Sequence, residues 1–184
     1  MPGWQQFYQK HRASGIELLS VALDAHGAGR AEPYLRQAKA EFVTVVDEQN
    51  LLGDLYGFKA IPNGFLIDEQ GILRYGELGT FDVRKPKTRA LLDQWVAGKG
   101  TGVARSAEAP GNRHAQANAH FRAGEALYRQ GKVDEAVAEW RRAVALEPDN
   151  YIIRKQIWAV QNPDKFYDGD VDYDWQDEQL KKGL

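Results

Sequence analysis

LLGDLYGFKAIPNGFLIDEQGILRYGE, residues 51–77, reads as a short helix, a proline step and a β-hairpin. Leu51, Leu52, Leu55 and Tyr56 share one face of a helix, and Gly57, lacking a Cβ, closes it as a C-cap. Phe58 to Asn63 is a loop, because Pro62 has no N–H to continue a helix and drives Ile61 towards extended backbone. GFLID and ILRYGE then flank Glu69-Gln70-Gly71, an acid-and-glycine turn between two apolar runs, which predicts an antiparallel hairpin.

Upstream, Trp4, Phe7, Tyr8 and His11 recur at helical spacing and Ser14-Gly15 ends the pattern. IELLSVALDA, residues 16–25, is expected to be a strand buried on both faces. A loop at His26 to Gly29 leads to a helix with Pro33 near its first turn, running to about Ala40. FVTVVDE, residues 42–48, is the next strand, and strand, helix, strand with short connections predicts a right-handed parallel crossover. Downstream, Pro86 to Val96 carries Leu91, Leu92 and Trp95 on one side of a helix that ends at Gly98.

Residues 1–98 thus form one α/β domain. Residues 98–116 hold four glycines, a proline and no periodicity, so 99–116 is expected to be a mobile linker. From residue 117 the period is purely helical. Small residues at Gly124, Ala136 and Ala143 mark where two antiparallel helices cross, Gly131 breaks the first and Pro148 closes the second. Tyr151 to Val160 is a third helix capping the pair, within a helical unit 117–161. The tail, 162–184, sets seven acids against three lysines among Phe166, Tyr167, Tyr173 and Trp175. Disordered segments carry few aromatics, so the tail is expected to be pinned to a domain surface.

Composition removes chemistry more than it assigns it. With no cysteine, the chain has no disulfide, no thiolate nucleophile and no thiolate metal site. A net charge of -2 supplies no basic field for nucleic acid. No apolar run approaches the ~20 residues of a membrane span, and the opening MPGWQQFYQKHR lacks the pattern of an export signal. The default expectation is therefore cytoplasmic, or extracytoplasmic if a segment upstream of Met1 carries a signal. Asp168, Asp170, Asp172 and Asp174 alternate like a calcium loop, yet positions six and twelve from Asp168 are Tyr173 and Gln179 instead of glycine and glutamate. The four histidines, 11, 26, 114 and 120, are too scattered for a ligand pair and are assigned to surfaces or helix faces. No catalytic residue, metal site or cofactor is assigned.

Two resemblances follow from these residues. Residues 117–150, with Gly124, Leu127, Gly131, Ala136, Trp140, Ala143, Leu146 and Pro148 in register, are similar to a tetratricopeptide repeat, although Ala123 replaces the usual leucine. One repeat makes a short groove, because such arrays bury their core by stacking. Residues 1–98 resemble a thioredoxin-fold domain of the thiol-disulfide oxidoreductase and peroxiredoxin-related branch, incomplete at its start. Met1-Pro2-Gly3-Trp4 is similar to the segment that follows Trp-Cys-x-x-Cys in that branch. The resemblance implies an incomplete mixed sheet in which a strand would lie between the runs 16–24 and 64–68. These two runs are expected either to pair directly or to recruit a strand from a second molecule, giving a homodimer through an exposed sheet edge.

The same resemblance makes Ile61, Pro62 and Asn63 candidates for pairing with a peptide backbone, as the cis-proline loop does in the family. Asn118, Phe121, Glu125 and Arg129 are candidate contacts on the repeat's helix face. The expected function is a redox-inactive interaction module with a protein or peptide partner and no role at nucleic acid or membrane. The alternative is a thiol-disulfide oxidoreductase whose cysteines lie upstream of residue 1, discriminated by the coding DNA before Met1.

Overall fold

The computed structural model describes residues 1–100, 111–169 and 171–183. Helix α1 (Pro2–His11) opens with Pro2, whose missing N–H costs nothing in a first turn, and a 3-10 turn to Ser14 ends at Gly15 in the left-handed region. There follow β1 (Leu19–Ala22), α2 (Ala28–Ala38), β2 (Val43–Val46), α3 (Leu51–Tyr56), β3 (Gly64–Ile67), β4 (Leu73–Glu77) and α4 (Pro86–Val96). The helical half comprises α5 (Asn112–Arg129), α6 (Val133–Leu146), α7 (Tyr151–Gln161), α8 (Asp164–Tyr167) and α9 (Tyr173–Lys181).

The hairpin, the parallel crossover and the Gly57 cap take the expected places. β1 runs parallel to β2, from Leu19 opposite Val43 to Ala22 opposite Val46. β3 runs antiparallel to β4, Gly64 opposite Glu77, with an irregularity between Leu66 and Ile67. Gly57 is left-handed and its N–H donates to the Gly53 carbonyl.

Three expectations need correction. The strands do not form one mixed sheet: among the described residues β1 pairs only with β2 and β3 only with β4. Direct pairing of the runs 16–24 and 64–68 is therefore not formed. Each ladder is closed by its own local connection, α2 or the Glu69 to Gly71 turn, and neither connection brings β1 against β3. Second, β1 is four residues long with Leu19 60% exposed, so it is not covered on both faces. Third, α2 starts at Ala28, inside the expected loop, and Pro33 lies mid-helix. The helix there forgoes only the bond to the Gly29 carbonyl that the Pro33 nitrogen cannot make. Helix α5 begins at Asn112, within the stretch read as linker, and the mobility expected of 101–110 falls outside the described residues.

Two cores result. Phe7, Leu66, Phe81, Val83 and Leu92 fill the first, where Trp4 stacks on Phe81 with ring centroids 5.6 Å apart. Ala117, Phe121, Ala136, Trp140, Ala143, Ile153 and Ile157 fill the second, which also receives Ala25 from the loop after β1. That one alanine makes the helical core continuous with the α/β half. Gly124 lets the helices cross closely: a Cβ there would stand 2.5 Å from the Trp140 ring, whose Nε1–H donates to the Phe121 carbonyl at 3.0 Å. The tail is pinned as its aromatics predict, Trp175 packing edge-on to Trp158 at 5.9 Å. Asp172, one of the alternating acids, caps α9 by accepting from the Trp175 N–H at 2.9 Å.

Candidate functional site

Pro62 follows Ile61 through a cis peptide bond, in a loop braced from several sides. The Phe81 N–H donates to the Pro62 carbonyl at 3.2 Å, and the Asn63 side chain donates to the Ala60 carbonyl while accepting from the Gly79 N–H, both at 2.8 Å. The Ile152 N–H at the start of α7 donates to the Lys59 carbonyl at 3.3 Å. Ile61 is 54% exposed, and among the described residues its own N–H and carbonyl make no hydrogen bond. Of the three predicted peptide contacts, Ile61 and Pro62 face outward. Asn63 spends its side chain holding the loop in shape.

The predicted contacts on the repeat do not form an open face. Asn118 is fully buried, accepting from Asn50 Nδ2 at 3.0 Å and donating to Asp54 Oδ1 at 3.3 Å. Phe121 lies in the helical core, stacked on Trp140. Glu125 is buried beside Arg129, and Arg129 reaches across to Glu48 at 3.0 Å. The face is closed by α3 and the residues before it, where the Gly53 carbonyl lies 2.9 Å from His114 Nε2 on α5. Arg122 extends the same contact to Asp54 at 3.0 Å.

A buried polar network locks this junction. His114 places Nδ1 2.8 Å from Glu147 Oε2 and Nε2 2.9 Å from the Gly53 carbonyl. Glu147 also accepts from Lys59 Nζ at 2.9 Å and from Asn150 Nδ2 at 3.0 Å. Burial pushes the Glu147 carboxyl up, but donation from Lys59, Asn150 and His114 outweighs it and holds the group below its ordinary value. Lys59 is displaced upward: burial opposes its charge, and the Glu147 and Asp149 carboxylates prevail. Glu125 moves the other way, its burial outweighing Arg129. His114, expected on a surface or a helix face, is buried; Asn118, one turn on, lies 3.0 Å from its Nε2, while its Glu147 and Gly53 partners stand 33 and 61 positions away, where no local pattern marks them.

A second polar cluster ties the tail down. The His26 N–H donates to Asp24 Oδ1 at 2.8 Å, the Tyr167 hydroxyl lies 3.0 Å from His26 Nδ1, and the Arg30 guanidinium lies 4.1 Å over the Tyr167 ring. Burial, then the Asp24 charge, raises the Tyr167 pKa, which keeps the phenol protonated. Among the described residues no three His, Cys, Asp or Glu side chains gather as metal ligands, and no helix is long and apolar enough to cross a membrane.

Both halves are similar to known proteins. The tetratricopeptide repeat family matches residues 117–150. Sporulation thiol-disulfide oxidoreductase A of Bacillus subtilis (strain 168) is 27% identical over 98 residues, which are 52% of this chain and 56% of that protein. A Chlorobium tepidum protein described as a thiol:disulfide interchange protein, DsbE, is 34% identical with a TM-score of 0.46, over 54% of this chain and 67% of that one. Over about half its length this chain is similar to a thiol-disulfide oxidoreductase, and the tetratricopeptide match at 117–150 follows. It spans about half the length of the curated relative it matches.

Proposed function

We propose that this chain is a peptide- or protein-binding module whose own side chains perform no thiol chemistry. The observation that carries the reading is the exposed Ile61, whose N–H and carbonyl make no hydrogen bond among the described residues, on a sequence that contains no cysteine. Thiolate is the nucleophile of disulfide exchange, and none can form on these residues. What the braced loop offers instead is a donor and an acceptor uncommitted among the described residues, suited to pairing with an extended peptide. Asn118, Phe121, Glu125 and Arg129 then serve to hold the repeat against the α/β half, and the repeat acts as a buttress beside the loop.

The test is a nuclear magnetic resonance titration of the full chain with blocked extended peptides, reading the Ile61 amide. Movement of that resonance on binding supports the reading. Peptides that bind while leaving Ile61 unmoved, or turnover of insulin disulfides by the chain as given, overturn it. A second copy of the chain is a further partner in this reading, because β1 and β3 each pair along one side only among the described residues.

A further inference from the structure

The two halves of the chain border a cleft of about 410 Å³ that Ile61 helps to line, within the range of about 300–1,000 Å³ usual for ligand pockets. Arg30 and Tyr34 on α2 line one side, Ile61 lies at the edge of the loop, and Lys155 and Trp158 on α7 with Tyr173 on α9 line the other. Tyr34, Ile61 and Tyr173 are all exposed. Single exposed apolar residues are ordinary, but these three gather on one concavity.

The charges around the cleft are unequally satisfied. Asp24 is engaged by His26 and Tyr167, and Arg30 lies over the Tyr167 ring. Lys155 holds its ammonium 5.9 Å from the Tyr173 ring and makes no hydrogen bond or ion pair among the described residues. Burial lowers its pKa, with the Asp177 charge on α9 in partial opposition. A half-buried ammonium left without a hydrogen-bonded carboxylate among the described residues favours a ligand that brings one.

We infer that this cleft is the side-chain pocket for the peptide that pairs with Ile61. It takes one large apolar side chain, aromatic by preference, from an extended segment whose acidic residue two positions away meets the Lys155 ammonium. The spacing follows from strand geometry, in which side chains at i and i+2 share a face about 7 Å apart. The inference rests on the backbone pairing proposed above and adds its specificity. The pocket's second wall belongs to α7 and the tail, so the selectivity comes from the helical half of this chain.

The experiment uses the full chain and a fluorescein-labelled, C-terminally amidated peptide, Gly-Thr-Phe-Ser-Glu-Thr-Gly, read by anisotropy and by the Ile61 amide and Trp158 indole resonances. The Phe-x-Glu peptide is expected to bind at least ten-fold more tightly than versions carrying Ala for Phe or Lys for Glu, with the Trp158 indole shifting on binding. Lys155→Glu is expected to reverse the preference between the Glu and Lys peptides, and Lys155→Gln to abolish it. The peptide exchanges need no variant, so they decide the matter even where a substitution disturbs folding. Equal affinity for all three peptides with movement at Ile61 overturns the pocket and leaves the backbone pairing standing. Failure of every peptide to bind or to move Ile61 overturns both.

Discussion

Gly124 sits at the closest approach of α5 and α6, where an added Cβ would meet both the Trp140 ring and the Ala136 carbonyl. Gly124→Ala is expected to destabilise the fold by about 1–3 kcal/mol, the usual range for overpacking, seen as a lower midpoint in urea unfolding. A large part of this site was legible beforehand, because small residues at fixed spacing from Trp140 and Gly131 announce a crossing. His114 was not legible in the same way. Its Glu147 partner sits just past the end of α6 and its other ring nitrogen meets a backbone carbonyl on α3, so the side chain's meaning depends on where distant segments arrive. His114→Ala would leave Glu147 with fewer donors in a buried site, and a loss of about 2–4 kcal/mol on unfolding is expected.

At the scale of elements, the junction between α3 and the α5–α6 pair depends on ionised groups, and its response to pH follows from their directions. Glu147 is held below its ordinary value of 4.5, so its contribution is complete above that value and is lost as pH falls through the lower folded value. Lys59 is raised above its ordinary 10.5, so its contribution is complete below that value and disappears as pH rises through the higher folded one. The stability difference between the native chain and Glu147→Gln is therefore expected to be constant near neutrality and to shrink below pH 4.5, measured by urea unfolding across pH. A difference unchanged at acid pH would mean that the carboxylate charge does not hold the junction. The elements themselves were largely readable: α3, the hairpin, α4 and the repeat helices all follow from periodicity, glycine and proline. α2 was misplaced because Gly27 to Gly29 reads locally as loop, whereas the fold starts the helix there.

For the whole molecule, the consequence of two separate sheets is an uncovered apolar face. Leu19 and Val43 stand opposite each other on β1 and β2, 60% and 61% exposed, with Val45 exposed beside them. Sedimentation velocity is expected to show reversible self-association that rises with concentration, and Leu19→Lys with Val43→Lys to suppress it without loss of helical signal. A mass independent of concentration in both forms would remove the second copy from the list of partners.

The residue order alone determined that a helix, proline loop and hairpin follow a parallel crossover, that a helical repeat succeeds them, and that these 184 residues hold no cysteine. These are local properties, written in periods of 2 and 3.6 residues and in the special backbones of glycine and proline. Only the tertiary structure decided that the inner face of the repeat closes on α3, that His114 and Glu147 join the halves, and that α7 and the tail stand beside Ile61. Periodicity tells which face of an element leaves water, but not which distant surface covers it. That choice is made by shape and by pairing of buried polar groups across 33 to 68 positions of chain.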